Sequence, residues 1–250
     1  MNRIVFLGTG GARIVVFKQI RASGGIWLEL DDTNLLLDPG PGSLVRIINS
    51  KHKLDPTKLE AIILSHKHLD HSADVNVMIE AMTEGGFKKR GTIFAPKDAF
   101  EENVILEYLH SYVLETVMLK EGGIYKIGQI NFATPKKHIH GNAETFGMKF
   151  NFSGGIISYV VDTRYFEELT KIYKADYLIL NVVRLKPSNL DHLCIDDVRT
   201  IIRTIKPKLA ILTHFGMTLL KAKPWEVAKQ LSDETGIEVK AASDGMEVVL

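Results

Sequence analysis

The sequence contains a dense run of potential metal ligands, HKHLDH, at residues 66–71. His66 and His68 lie two residues apart after an apolar run, so in an extended backbone their side chains point to the same side. Asp70 and His71 stand where the next helix should begin, which turns them toward a second point nearby. Imidazole nitrogens and carboxylate oxygens suit Zn²⁺, Fe or Mn²⁺, and the absence of a nearby cysteine argues against a closed structural zinc site. One loop can therefore supply ligands to two adjacent metal positions; the alternative is a solvated polar loop.

Regular elements on both sides must hold this run in place. The apolar residues 61–64 predict a strand that ends at Ser65, and a helix is expected over residues 71–82. Residues 4–7 predict a buried strand that leads into a glycine-permitted turn at residues 8–11. The same reasoning predicts a hairpin from residues 26–30 and 35–37, further strands at 92–95, 124–127, 130–134, 145–152, 156–161, 177–180, 209–212 and 246–249, and helices at 43–48 (capped by Ser43), 99–114, 164–172, 195–205 and 225–235.

The order of these elements indicates the fold class. At 250 residues and 45% hydrophobic composition, the chain can bury a sizeable core. No low-complexity linker divides it, so we expect one domain over residues 1–250. Strand-rich stretches closed by helices predict an α/β fold in which two sheets pack together with helices outside. Periodicity alone leaves other α/β layouts open.

Bulk charge and cysteine content limit the possible partners and compartment. The formal net charge of +1 gives no field strong enough to hold nucleic acid or an anionic membrane non-specifically. The N-terminal apolar run is shorter than a signal sequence requires, and no segment approaches the roughly 18 apolar residues of a membrane span. Cys194 is the only cysteine, which agrees with a reducing compartment. We therefore expect a cytoplasmic protein with no membrane partner.

The run at residues 66–71 resembles the signature of the metallo-β-lactamase superfamily. Three later residues match that family's other motifs in order: His140, Asp162 at the end of an apolar strand, and His214 in the segment LTHFG. The resemblance implies a four-layer αβ/βα sandwich with a two-metal site at one edge. It implies that the cofactors are two divalent ions, with Zn²⁺ expected and Mn²⁺ or Fe as alternatives.

The resemblance also implies a ligand set. Metal one would be held by His66, His68 and His140, metal two by Asp70, His71 and His214, and Asp162 would bridge them. His138 competes with His140 because it lies two residues earlier on the same extended segment; alternatively both are surface residues. Purely structural roles are the alternatives: His214 would be a hydrogen-bonded histidine at a strand end, and Asp162 would be a helix N-cap before Tyr165.

Further residues are candidates for supporting the metal ligands and for binding substrate. The family places an aspartate like Asp38 behind the metal site, where it would orient a ligand histidine; simple turn formation before proline is the alternative. The segment DHLCIDD at residues 191–197 resembles a motif of the ribonuclease Z and phosphodiesterase branches. In those branches the histidine contacts the scissile phosphate or protonates the leaving oxygen. His192 is therefore the candidate for substrate binding or general acid catalysis; alternatively, it only precedes a helix cap. Arg184 lies in the same loop, and its planar guanidinium would suit binding of a phosphate.

These residues predict metal-dependent hydrolysis, with Asp162, Asp70 and His192 as the catalytic residues. Two ions can lower the pKa of a shared water toward 7, which provides hydroxide at neutral pH. A small cyclic or nucleotide phosphodiester fits best as substrate, since the sequence shows no Gly/Pro-rich arm of the kind with which ribonuclease Z grips transfer RNA. A carboxylic ester or lactone hydrolase and a non-catalytic or redox metal-binding protein are the alternatives. Nucleic acid is therefore not the expected partner, and a homo-oligomer is compatible with the family.

Overall fold

A computed structural model describes residues 2–250 of the chain. Its strands are β1 Arg3–Phe6, β2 Ile26–Leu30, β3 Thr33–Leu37, β4 Ala61–Ile63, β5 Thr92–Ala95, β6 Glu115–Met118, β7 Gly123–Ile127, β8 Ile130–Thr134, β9 Met148–Phe152, β10 Gly155–Val160, β11 Tyr177–Asn181, β12 Leu209–Thr213, β13 Glu238–Ala241 and β14 Met246–Val249. Its α-helices are α1 Arg13–Phe17, α2 Ser43–Ile48, α3 Leu69–Ser72, α4 Val75–Met82, α5 Lys97–Glu101, α6 Leu169–Ile172, α7 Ile195–Ile205, α8 Met217–Lys221 and α9 Pro224–Thr235, with short 3₁₀ helices at Pro56–Lys58 and Glu107–Tyr112.

The strands form two seven-stranded sheets. The first has the order β14-β1-β2-β3-β4-β5-β6 and the second β13-β12-β11-β10-β9-β8-β7. Strands β3 to β6 run parallel in the first sheet, and β10 to β13 run parallel in the second. The carboxyl ends of these strands meet at one edge of the molecule, the edge where open α/β sheets place their binding sites.

The side chains of each sheet alternate between two apolar layers. In β1, Ile4 and Phe6 enter the core between the sheets, while Val5 packs against the helices outside. In β11, Ile179 joins the same central core and Leu180 packs under the outer helices of the second sheet. The molecule thus has four layers, in the order helices, sheet, sheet, helices. This order confirms the predicted αβ/βα sandwich.

The predicted hairpin between β2 and β3 is present, with Asp31 and Asp32 as its two turn residues. Both have positive φ, at 47° and 61°. A two-residue turn with positive φ at both positions matches the right-handed twist of the strands, and aspartate tolerates that conformation better than most residues. The turn therefore sets the register that carries β3 to Asp38.

The predicted helix over residues 71–82 is wrong in detail because it is two helices, α3 and α4. Asp74 separates them: its backbone N–H donates to the carbonyl of Pro39 (2.9 Å) and its carboxylate accepts from the backbone N–H of Leu44 (3.1 Å). These contacts with Pro39 and with the first turn of α2 replace regular helix continuation. Ser43 is the first residue of α2 rather than its cap, and its hydroxyl donates to the carbonyl of Gly40 (2.7 Å).

Two other predicted helices are also shorter than expected. The helix predicted over residues 99–114 is α5 followed by a loop that the side chain of Asn76 holds, since it donates to the carbonyl of Val104 (2.9 Å) and accepts from the N–H of Leu106 (2.9 Å). The helix predicted over residues 164–172 is reduced to α6, because Arg164 donates its backbone N–H to the carbonyl of Ile139 (2.9 Å) instead of starting a helix. No helix within residues 2–250 is long and apolar enough to cross a membrane.

Candidate metal centre

The predicted ligand residues converge at the shared edge of the two sheets. The residues that follow β4, at positions 66–71, come from the first sheet. Asp162 lies just beyond β10 and His214 just beyond β12, and both come from the second sheet. His140 arrives on the loop between β8 and β9. Because parallel strands end together, residues far apart in sequence meet at one place.

Their donor atoms form four overlapping groups in which all atoms lie within 4.8 Å of one another. These groups are His66, His68 and His140; Asp70, His71 and His214; His66, His71 and Asp162; and His140, Asp162 and His192. The first two are the two ligand triads expected from the sequence. Asp162 belongs to groups that overlap both triads, which agrees with its expected place between them.

The spacing of the donor atoms matches what a small divalent cation requires. Four ligands at about 2.0–2.1 Å in a tetrahedron lie about 3.3 Å apart. Nε2 of His140 is 3.0 Å from Nδ1 of His68, and Oδ2 of Asp162 is 3.2 Å from Nε2 of His214 and 3.5 Å from Nε2 of His71. Nε2 of His214 is 3.6 Å from Oδ2 of Asp70.

Buried histidine nitrogens without partners provide an independent test of fit. Nε2 of His66, of His71 and of His214 is buried, and none has a hydrogen-bond partner among the described residues. An orphaned buried polar atom costs about 1–3 kcal/mol, so such atoms are rarely left unpaired. Three imidazole nitrogens beside a buried carboxylate are the donor set of a divalent cation, and the residues present therefore fit one.

The carboxylate of Asp38 contacts one of these histidines directly and a second one through Ser65. Its carboxylate accepts from the N–H of Ser65 (2.6 Å), from the hydroxyl of Ser65 (2.8 Å) and from Nδ1 of His71 (3.0 Å). A carboxylate only accepts, so Nδ1 of His71 carries the hydrogen and Nε2 keeps its lone pair. The Ser65 hydroxyl, which donates to Asp38, accepts from Nδ1 of His66 (3.0 Å) and fixes that ring in the same way.

His138 and His140 occupy different surroundings although they lie two residues apart. Nδ1 of His140 contacts the carbonyl of Asp191 (3.0 Å), which leaves Nε2 facing His68. Nε2 of His138 contacts the hydroxyl of Tyr173 (2.8 Å), away from the donor groups. Burial lowers the pKa of His138 to about 4. The alternative of two surface histidines is wrong, since both rings are buried.

Asp162 is held as an ionised carboxylate. Burial raises its pKa, but the imidazoles of His214, His192 and His71 that face it lower that pKa well below the usual range. Its second oxygen, Oδ1, accepts from the side-chain amide of Asn181 (2.9 Å). The alternative role as a helix N-cap is wrong, because the next helix begins only at Leu169. At His66, burial lowers the pKa well below its usual value, which favours the neutral ring that a metal binds.

His192 belongs to the fourth donor group, with His140 and Asp162, and also lines a pocket. Nδ1 of His192 is 3.7 Å from Oδ2 of Asp162. Burial lowers the pKa of His192 to about 4. The pocket has a volume of about 470 Å³, which falls in the range of small-molecule sites. It is lined by Arg164, Tyr165, Pro187, Ser188, Asn189, Leu190, His192 and Asp197.

Arg184 does not line this pocket. Its backbone N–H donates to the carbonyl of Leu193 (3.3 Å), so the residue is tied to the loop that carries His192. Its Nε is buried and has no hydrogen-bond partner among the residues described. Arg164, which the sequence reasoning passed over, is the arginine that faces the pocket.

Several supporting residues had no recognisable signal in the sequence. The hydroxyl of Tyr159 donates to Asp38 (3.1 Å) and Asn181 donates to Asp162, yet both looked like ordinary strand residues. Ser65 could have been found, because a polar residue at a strand end directly before a ligand histidine is placed to contact it. Asp191 acts partly through its backbone carbonyl, which no sequence pattern marks.

Comparison with known families gives a direct match. The family described as the beta-lactamase superfamily domain matches residues 33–215. An uncharacterized protein of Methanocaldococcus jannaschii is 33% identical over 99% of this chain and 94% of its own length. Ribonuclease Z of Kineococcus radiotolerans is 31% identical over 40% of this chain, an alignment that covers only 30% of that enzyme.

Solved structures agree on the fold. The metallo-beta-lactamase fold protein YhfI from Bacillus subtilis superposes with a TM-score of 0.83 at 20% identity, over 99% of this chain and 98% of that one. A diphosphatase from the PhnP family superposes with a TM-score of 0.73 at 20% identity, over 100% and 98% of the two chains. The resemblance inferred from residues 66–71 is confirmed, and this chain belongs to the metallo-β-lactamase superfamily of metal-dependent hydrolases.

Proposed function

We propose that this protein hydrolyses a small phosphodiester with the help of two divalent ions, of which Zn²⁺ is the expected metal. The carrying observation is the position of Asp162: its Oδ2 faces His71, His140, His192 and His214 at 3.2 to 3.7 Å. One carboxylate oxygen is thus shared between two ligand triads and a further histidine. That arrangement suits a two-ion centre with a substrate-contacting group beside it.

The ligand roles follow from the donor groups. His66, His68 and His140 would hold one ion, Asp70, His71 and His214 the other, and Asp162 would contact both. Bound there, the ions supply Lewis acidity and lower the pKa of a water molecule toward neutrality. An ionised Asp162 would be able to accept a hydrogen bond from such a water, while Asp38 and Ser65 keep the rings of His71 and His66 from turning.

His192 would bind the substrate and act as the general acid. With its pKa lowered to about 4 by burial, the ring is neutral near pH 7 and offers one N–H to a phosphate oxygen. Approach of an anionic phosphodiester favours the protonated ring, which then passes its proton to the leaving oxygen. Arg184, whose buried Nε has no hydrogen-bond partner within residues 2–250, is a proposed second contact to the phosphate, which would require its side chain to turn toward the pocket.

The substrate class is inferred from the site and the relatives together. Two similar proteins carry the names ribonuclease Z and diphosphatase, both of which denote cleavage at phosphorus. The pocket beside His192, at about 470 Å³, has a volume in the range of small-molecule sites. We propose a soluble phosphate-containing metabolite as the substrate, and a homo-oligomer remains compatible with this proposal.

Activity against two chromogenic substrates tests the proposal. The zinc-loaded protein should hydrolyse bis-p-nitrophenyl phosphate with a larger kcat/KM than p-nitrophenyl acetate, and Asp162→Asn should abolish both activities. Faster hydrolysis of the acetate would instead support the carboxylic ester or lactone alternative on the same site. If Asp162→Asn kept both activities, the candidate metal centre would not be the site of hydrolysis.

A further inference from the structure

Three segments that converge on the candidate centre are tied to one another at a single residue, Asp191. Its backbone carbonyl accepts from Nδ1 of His140 (3.0 Å), and its Oδ2 accepts from the backbone N–H of Gly141 (2.9 Å). Its Oδ1 accepts from both Nε (2.8 Å) and Nη2 (2.6 Å) of Arg164. Asp191 therefore contacts the His140 loop and the segment after Asp162, and it directly precedes His192.

A second set of hydrogen bonds closes the arrangement. The backbone N–H of Arg164 donates to the carbonyl of Ile139 (2.9 Å), and the N–H of Ile139 donates to the hydroxyl of Thr163 (3.1 Å). The His140 loop is thus fastened to the Asp162 segment on one side and to the Asp191 loop on the other. Displacing any one segment strains the other two.

The carbonyl of Asp191 determines which nitrogen of His140 is free. A carbonyl only accepts, so Nδ1 of His140 carries its hydrogen and Nε2 presents a lone pair toward His68. Fixing the tautomer and the ring direction of a ligand histidine is the role of a partner behind a metal site. The side chain of Asp191 in turn fixes that carbonyl through Gly141 and Arg164.

The contributions of the two side-chain contacts differ in size. The side chain of Arg164 is 58% exposed, and an exposed ion pair contributes only about 0–1 kcal/mol. The Asp191 side chain is only 20% exposed and also receives the Gly141 N–H. Removing the carboxylate should therefore disturb the centre more than removing the guanidinium.

We propose that Asp191 is a positioning residue that sets the tautomer and direction of His140 and holds His192 in register with the same centre. The inference rests on the proposed function only in taking His140 as a metal ligand, and it is independent of the substrate. Asp191 itself contacts neither metal nor substrate.

Zinc affinity measured by competition with a chromogenic chelator tests this role. Asp191→Ala should weaken zinc binding about 10–100-fold, the usual effect of losing a partner behind a metal ligand. Asp191→Asn, which keeps an acceptor for Gly141, should weaken it less, and Arg164→Ala less than about threefold. Glu234→Ala is the matched control because it breaks a comparable exposed pair, Arg199 to Glu234 at 2.6 Å, on helices α7 and α9; its affinity should equal the wild-type value.

A second readout separates positioning from general destabilisation. In the zinc-loaded protein, the Nδ1–H of His140 should give a slowly exchanging proton signal by NMR, which Asp191→Ala loses and Glu234→Ala keeps. Equal zinc affinity and an unchanged His140 signal in Asp191→Ala and Asp191→Asn would overturn the inference. A wild-type protein that binds no zinc would instead contradict the proposed function, so the two failures are distinguishable.

Discussion

His138 and His140 present the same side chain two residues apart, and their surroundings alone assign different roles. His140 faces His68 and Asp162, whereas His138 contacts Tyr173 in the interior. The two histidines therefore offer an internal comparison for any test of metal binding.

We expect His140→Gln to weaken zinc binding by more than the 10–100-fold effect of a partner behind the site, because a ligand itself is lost. His138→Gln should keep the wild-type zinc affinity, since its ring belongs to none of the donor groups. Chelator competition on both variants measures the difference. If His138→Gln weakened zinc binding more than His140→Gln, His138 rather than His140 would be the metal ligand.

His192 should affect turnover without affecting metal content. His192→Gln keeps a hydrogen-bond donor of similar length but provides no proton at a ring nitrogen. Loss of general acid catalysis usually lowers rate about 10²–10⁴-fold, so kcat on bis-p-nitrophenyl phosphate should fall by that order. Metal analysis of the variant is the control and should match the wild type. A kcat within a factor of two of the wild-type value would exclude the proposed role.

Many residues of the candidate site could be predicted from the sequence, and those that could not share a physical reason. The HKHLDH run was recognisable from its residue types and spacing, whereas Asp162 and His214 were singled out by their resemblance to later motifs of the metallo-β-lactamase superfamily. Tyr159 and Asn181 were not, since their partners Asp38 and Asp162 lie far away in sequence. The backbone carbonyl of Asp191 has no sequence signature at all.

At the scale of elements, the loop between β1 and α1 approaches the centre closely. A Cβ on Gly11 would lie 2.3 Å from the ring of His214, and His214 itself has a positive φ of 62°. That φ is costly for a histidine and needs firm support from its surroundings. The glycine therefore leaves the space that the His214 ring occupies.

Gly11→Ala should consequently displace His214 and weaken zinc binding. Gly236→Ala, at the left-handed end of α9, places its Cβ more than 4 Å from every other side chain described in residues 2–250. It should therefore lower the free energy of unfolding by about 1 kcal/mol through its φ of 70° and leave zinc affinity unchanged. Urea unfolding together with chelator competition on both variants measures the two effects. Wild-type zinc affinity in Gly11→Ala would show that the loop does not support His214.

Elements that are buried were predictable, and those fixed by distant contacts were not. Strands β4, β5 and β8 carry continuous or alternating apolar residues, and the predictions placed them within a residue. Strand β6, whose side chains are mostly exposed, and strand β13 were both missed. The break between α3 and α4 depends on Asp74 and its contacts with Pro39 and Leu44, which only the folded chain brings together.

At the scale of the whole molecule, one central apolar core joins the two sheets. It includes Leu28 and Leu35 from the first sheet and Phe150 and Ile157 from the second. On this basis we propose that the chain folds as one domain. Because the centre is divided between the sheets, its geometry depends on their packing as well as on its own loops.

Asp176 gives the stability of the second sheet a predictable dependence on pH. Its carboxylate accepts from the N–H of Ile156 (2.9 Å) and pairs with Lys208 (3.0 Å), and these contacts lower its pKa, the hydrogen bond to Ile156 most. A lowered folded-state pKa contributes stability above the unfolded value near 3.8 and loses it as pH falls through the folded pKa. The site is partly exposed, so the contribution is about 1 kcal/mol or less.

Asp176→Asn should therefore be less stable than the wild type at pH 7, and the difference should shrink below about pH 4 as the wild-type carboxylate is protonated. Urea unfolding between pH 7 and 3 measures it. Asp233→Asn, which removes only a solvent-exposed contact to Lys229, is the control and should show no such trend. A difference for Asp176→Asn that is constant across this pH range would contradict the assignment.

The measurement closest to the central claim is the metal content of the protein purified without chelator. Elemental analysis should find about two divalent ions per chain, as expected for a two-ion hydrolytic centre. Their removal by dialysis against a chelator should abolish hydrolysis of bis-p-nitrophenyl phosphate, and their return should restore it. Fewer than one ion per chain, or phosphodiester hydrolysis that survives their removal, would contradict the account.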